Sequence, residues 1–226
     1  MSVHGSSSNS LNSLIGSLFL LSSFAMLATR QIQSYLRIFA IQTVCLASSA
    51  VISWIDYGGI DLLIFAGITL LSKAILLPII LKRLMPDKVF QKREINQSLP
   101  IPLALISGIL LTLIASASML RLVDVGLNAK EHIDLAFGMA SFLIGLLTLV
   151  NRKETLPQLI ALLALENSVQ LVGIAIAPIP SVFVELGTTF DVMVLAVTVT
   201  LVAQIMYHEH DSTDISEIDV LTRETP

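Results

Sequence analysis

Apolar stretches of about 20 residues recur along this chain, separated by short polar punctuation, near 11–29, 36–55, 60–81, 101–120, 133–150, 156–177 and 181–206. A helix rises 1.5 Å per residue and the hydrocarbon core of a bilayer is roughly 30 Å thick, so each stretch is long enough to span it. Only 13% of the 226 residues are charged, and the windows occupy most of the chain, which leaves little material for a soluble domain. The expected fold is an all-α membrane protein, a bundle of about seven transmembrane helices in contact with the lipid bilayer.

Basic residues sort between alternate connections. Arg30 and Arg37 flank the first, Lys82, Arg83, Lys88, Lys92 and Arg93 the third, Arg152 and Lys153 the fifth, and Arg223 lies in the tail. The opposite side holds Arg121 and Lys130. Such a bias marks the cytoplasmic side, so seven spans put the amino terminus outside and the carboxy terminus in the cytoplasm. The polar stretch LMPDKVFQKREINQSLP divides the chain most naturally: residues 1–100 as three helices plus a cytoplasmic loop, 101–206 as four helices, and 207–226 as an acidic cytoplasmic tail. The start, MSVHGSSSNS, lacks the basic region of a signal peptide, so the first window reads as a retained helix.

Several chemistries are excluded by what is missing. One cysteine, Cys45, sits inside the second window and reads as a small core residue, so no disulfide framework or thiolate cluster is available. His208 and His210 beside Glu209 and Asp211 read as a charged run next to the membrane rather than metal ligands. There is no phosphate-cradling glycine loop and no nucleophile with a base. The chain is expected to carry no active site and no cofactor of its own, and its net charge of −4 without a basic stripe argues against nucleic acid.

Charges inside the windows carry the functional signal. Lys73 lies in IDLLIFAGITLLSKAILLPIIL, Glu166 in LPQLIALLALENSVQLVGIAIA and Asp191 in ELGTTFDVMVLAVTVTLVAQIM. A charge at that depth costs about 2.5–3.5 kcal/mol on insertion scales, so it faces protein or water and marks an ion or proton path. Desolvation favours the neutral form of a carboxyl group, so acids at this depth are suited to taking up and releasing protons as neighbouring charges move. In the sixth window Glu166, Gln170 and Gly173 recur at i, i+4 and i+7 on one face, with Asn167 beside them. The glycine there is expected to admit a neighbouring backbone. In the seventh, Thr188, Asp191 and Thr198 form a polar stripe and Glu185 lies toward the outer end. Pro78 follows Lys73 by five residues, and its missing amide is expected to free a carbonyl near Lys73 and Ala74 and to kink the helix beside the charge. Gln42 in the second window is a further candidate for lining the path. The fourth and fifth windows have no charge at mid-span and are expected to face lipid or partner subunits.

The stretch ALLALENSVQLVGIAIAPIPSVFVELGTTFDVMVLAV resembles the most distinctive region of the hydrogenase-4 component E family, membrane subunits of hydrogenase-4 and formate hydrogenlyase type complexes. Two earlier segments, RQIQSYLRIFAIQT and LLSKAILLPIILKRL, are similar to further motifs of that family in the same order. The last three windows are similar in turn to the K subunit of NADH-quinone oxidoreductase, respiratory complex I, with Glu166 and Asp191 in the places of its intramembrane acids. Asp191 departs from the usual Glu there, shortening the reach by one methylene. The resemblance implies a subunit of a redox-driven, proton-translocating complex in a bacterial inner (cell) membrane. It also implies antiporter-like membrane subunits and other membrane-arm subunits as partners, with redox cofactors in those partners. On this reading Lys73, Glu166 and Asp191 are successive stations of a proton path, with Glu185 near one exit and Gln42, Asn167, Gln170 and Thr188 lining it. Two alternatives stay open at this point: a non-conducting assembly scaffold, in which Lys73 and an acid form a static pair, and a self-contained secondary transporter, which lacks the paired broken helices expected of one.

Overall fold

The computed structural model describes residues 2–84, 95–121 and 129–176, and among these the chain is helical apart from short connections and one isolated antiparallel bridge, Gln97 to Arg152. Hydrocarbon offers no partner for backbone N–H and C=O groups, and a helix satisfies them within the segment. The helices are α1 (Ser2–Ala28), α2 (Ile32–Tyr57), α3 (Ile60–Thr69), a π-helical segment (Leu70–Leu76), α4 (Leu77–Leu84), α5 (Ile101–Arg121), α6 (Ala129–Asn151) and α7 (Thr155–Ile176). Taking α3, the π segment and α4 as one continuous span, six helices among the described residues are long and apolar enough to cross a membrane. The protein is therefore a multi-pass membrane protein. These six match the first six windows. The seventh window at 181–206, with Glu185, Thr188 and Asp191, and the tail at 207–226 lie outside the described residues.

Local sequence sets the ends. Gly58 and Gly59 adopt φ of 73° and 91°, a region that L side chains resist, and so reverse the chain between α2 and α3. Asp61 in the first turn of α3 complements the positive end of the helix dipole. Pro100 precedes α5 and its carbonyl accepts from the N–H of Ala104 at 3.0 Å, starting that helix at a residue that has no N–H to lose. Hydroxyls on outward faces bond to their own helix: Ser48 Oγ donates to Val44 O and Ser118 Oγ to Ile114 O, each at 2.8 Å, so neither leaves an orphan polar group toward lipid.

Four helices form the centre: α1 packs on α2 and α6, and α7 closes the ring against α2 and α6. The α3–α4 span packs outside α2, and α5 lies outside α1 and α6. The bare outer face of α5, with Ile106, Ile109, Leu110 and Leu113 all exposed, agrees with the expectation that the fourth window faces lipid or a partner. The fifth window does not: α6 is central. Lack of charge did not decide its place; small residues did. A Cβ on Gly138 would stand 2.6 Å from Val172 Cγ2 and 3.2 Å from the Val172 backbone N, and one on Gly145 would stand 3.3 Å from Leu165 Cα, so α6 and α7 touch nearly backbone to backbone. Replacing Gly138 by leucine is expected to spread this pair at a cost of about 1–3 kcal/mol. Thermal unfolding in detergent would register the loss, with Gly67→Ala as the silent control, since nothing among the described residues lies within 4 Å of a Cβ there.

The connections at 29–31, 95–100 and 151–154 are knitted together at one end of the bundle. Ile95 N–H donates to Arg30 O at 2.7 Å, Ser98 N–H to Asn151 O at 2.9 Å and Leu99 N–H to the Asn151 side chain at 2.7 Å. Beneath them Arg152, only 1% exposed, points its Nη2 at the carbonyls of Met26 and Leu27, the last turn of α1. Its guanidinium lies 4.8 Å from the centre of the buried Tyr35 ring. Burial draws the Arg152 guanidinium below its ordinary range, opposed by Tyr35 and Glu154. It stays charged nonetheless, and positive charge at a helix C-terminus is favourable.

Candidate functional site

Pro78 has no N–H to give to the carbonyl one turn earlier, and the helix resolves this by widening before it arrives. Between Leu70 and Leu76 the backbone is π-helical, and the N–H of Leu77 donates to Ser72 O, five residues back. The expected kink beside the charge thus takes the form of a π segment, a device found often at functional sites. Lys73 sits in the middle of it.

The Lys73 side chain is 1% exposed and does not run to the membrane surface. Its ammonium has three donors and no acceptor, and α7 supplies three oxygens: Glu166 Oε1 at 2.9 Å, Gln170 Oε1 at 2.9 Å and Asn167 Oδ1 at 3.3 Å. The pairing of Lys73 with Glu166 is an ion pair by distance. Helical geometry explains the set, since residues i, i+1 and i+4 on one helix present a shallow three-pronged cup to a point opposite. Gln170 Nε2 also donates to Glu166 Oε1 at 3.2 Å, which orients the amide with its oxygen toward the ammonium. Asn167 Nδ2 donates to Thr43 Oγ1 at 3.0 Å, and Thr43 in turn donates to Phe39 O at 3.0 Å, so the cup is anchored to α2. Thr43 and Asn167 have no solvent exposure. Three spans therefore meet at one charged pair. Glu166 Oε2 carries no hydrogen bond from the described residues, and the Glu166 side chain keeps 20% of its surface open.

Of the residues expected at a site, the structure brings together Lys73, Glu166, Asn167 and Gln170. Gln42 stands apart from the ammonium, donating instead to Ser23 Oγ on α1 at 3.0 Å. Glu185, Thr188 and Asp191 belong to the undescribed stretch. Gly173 does not serve as a close-approach point among the described residues, since nothing there lies within 4 Å of a Cβ built on it. That role falls to Gly138 and Gly145, because the face of α7 that carries Glu166 meets a side chain from the π segment rather than a backbone.

A second polar group was missed. Asn12 on α1 donates through Nδ2 to Asp134 Oδ2 on α6, and Ser49 on α2 donates to Asn12 Oδ1 at 3.1 Å. All three are buried. Asp134 falls at the edge of the fifth window, where an acid reads as an interface residue. The signal that could have found it is the run Asp134, Gly138, Ser141, Gly145 and Thr148, at i, i+4, i+7, i+11 and i+14, a small and polar stripe along one helix face.

No family model matches the chain, and no solved structure does. The chain is similar over nearly its whole length to hydrogenase-4 component E of Escherichia coli (strain K12), 23% identical over 214 residues that cover 93% of this chain and 96% of that protein. The component E proteins of Escherichia coli O157:H7 and Shigella flexneri are similar at the same identity and coverage.

Proposed function

We propose that this chain is a membrane subunit of a redox-driven, proton-translocating complex of the hydrogenase-4 type, and that the Lys73–Glu166 pair is a proton-holding station within it. The observation that carries the reading is a buried ammonium in contact with a carboxylate whose second oxygen is buried with no hydrogen bond from the described residues, at the junction of three spans. A proton passing from Lys73 Nζ to Glu166 Oε1 turns the ion pair into a neutral amine and a neutral acid, so the pair changes form without a change of net charge in the membrane. Glu166 can then pass a proton onward through Oε2 and be recharged through the lysine. Asp191 and Glu185 are the proposed continuation on the seventh window, with Thr188 beside them, and Gln170 and Asn167 hold the pair in register. The similarity to component E proteins supports a place among other subunits; antiporter-like neighbours and the inner membrane are part of the proposal. The meeting of connections 29–31, 95–100 and 151–154 at one end supports the orientation drawn from the basic residues, with the amino terminus outside and the tail cytoplasmic.

A second reading, a static clamp in a non-conducting scaffold, is favoured by one feature: all three ammonium donors are engaged. The two readings separate in an assembled complex carrying Glu166→Gln or Asp191→Asn. Loss of a positioned proton-transfer group is expected to slow proton translocation by about a hundredfold, with subunit assembly retained on native gels. Unaltered translocation in both variants leaves the clamp.

A further inference from the structure

The Asn12, Ser49 and Asp134 group lines a cavity of about 20 Å³, together with Ser53, Tyr57 and Leu171. A single water needs roughly 10–15 Å³ by this measure and two to four polar partners, so the cavity has room for about one. Asp134 is 8% exposed, Asn12 5%, Ser49 4% and Ser53 5%. A carboxylate is not required to join α1 to α6: an amide or hydroxyl at 134 would bond Asn12 at far smaller desolvation cost, and a buried acid beside a polar cavity at the end of a span is a functional-site candidate.

The cavity bears a definite relation to the lysine. Leu171 and Ile174, which line it, lie one turn beyond Asn167 and Gln170 on α7. On α2, Ser49 follows Thr43 by six residues, about 9 Å of rise. Phe19 on α1 and Leu46 on α2, both without exposure, pack in the same apolar cluster as Leu171 and Ile174 and lie along their helices between the two polar levels. Resting on the function proposed above, we infer that Asp134 is a second proton-holding group on the same path. It accepts a proton from a hydronium ion lodged among Asn12, Ser49 and Ser53, leaving a neutral acid and a water molecule, and the Phe19–Leu46 layer holds it apart from the lysine pair until that layer admits water.

The test uses the assembled complex with Asp134→Asn, Asp134→Glu, Ser53→Val and Glu166→Gln. Proton translocation is measured at low and high sodium, and infrared difference spectra are recorded in light and heavy water. The inference requires that Asp134→Asn slow translocation by about a hundredfold at either sodium level, that Asp134→Glu restore most of it, and that a deuterium-sensitive carboxyl band vanish in Asp134→Asn. Ser53→Val, which fills the cavity wall without removing a member of the hydrogen-bonded group, should shift that band and slow translocation. It decides the matter if Asp134→Asn fails to assemble, and an unmoved band with normal translocation then overturns the inference. Normal translocation in Asp134→Asn with loss in Glu166→Gln also overturns it while leaving the proposed function intact. A defect in Asp134→Asn that varies with sodium overturns it in favour of a cation site. Normal translocation in both acid variants removes the proposed function, and this inference with it.

Discussion

Methionine in place of Lys73 is expected to destabilise the folded subunit by about 3–5 kcal/mol, because it leaves the Glu166 carboxylate buried without its cation. Asn167 and Gln170 lose their common donor at the same time. The expected result is a sharp fall in the amount of subunit recovered from membranes and an early melting transition in detergent. The diagnostic is the double variant Lys73→Met with Glu166→Gln. Removing both charges costs far less than removing one, so the double variant should recover most of the lost stability and yet remain unable to move protons. A double variant no more stable than Lys73→Met alone would show that the pair as drawn is not the dominant interaction of the lysine.

The second large effect is expected at Arg152. Replacing it by methionine strips the terminal carbonyls of α1 of a charge-assisted donor and removes the cation from the face of Tyr35. Hydrogen bonds to a charged group contribute about 1.5–3 kcal/mol each, and a cation over a desolvated ring adds on the order of 2 kcal/mol, so a loss of about 3–5 kcal/mol is expected. Lysine should rescue poorly, since a point charge on a flexible stem cannot both stack and present a planar fork. Protease accessibility of the connections at 29–31 and 95–100, compared between wild type and variant, reads this directly: cleavage should rise in both together, because the same arginine sits beneath both.

The six described spans and the two charges at the site were legible because hydropathy over 20 residues and a lone charge within it are one-dimensional signals. The choice of Glu166 as the partner of Lys73 was not. Pairing depends on which helices adjoin and how each is rotated, and the residues that decide this, Gly138 and Gly145 on α6, carry no charge to attract notice. Pro78 announced a disturbance at the right place, but proline constrains only which hydrogen bond is missing, and a kink and a π turn answer that constraint equally. Arg152 misled for a different reason. Basic residues in a connection read as solvated markers of membrane side, and burial of this one became visible only with the end of α1 laid over it. Asp134 was passed over because its companions, Asn12 and Ser49, come from two other helices, far away in sequence.

The widened turn around Lys73 also means that the third span holds one residue more than a regular helix of the same height. Deleting a single position between Leu70 and Leu76 would let the coil close into an ordinary spiral that keeps the two halves of the span nearly in phase but turns the residues within it, Lys73 among them, relative to both. The azimuth of the cation is thus set independently of the flanks that anchor it in the bundle, and a surplus of one link in the chain is what keeps it aimed at its three oxygens.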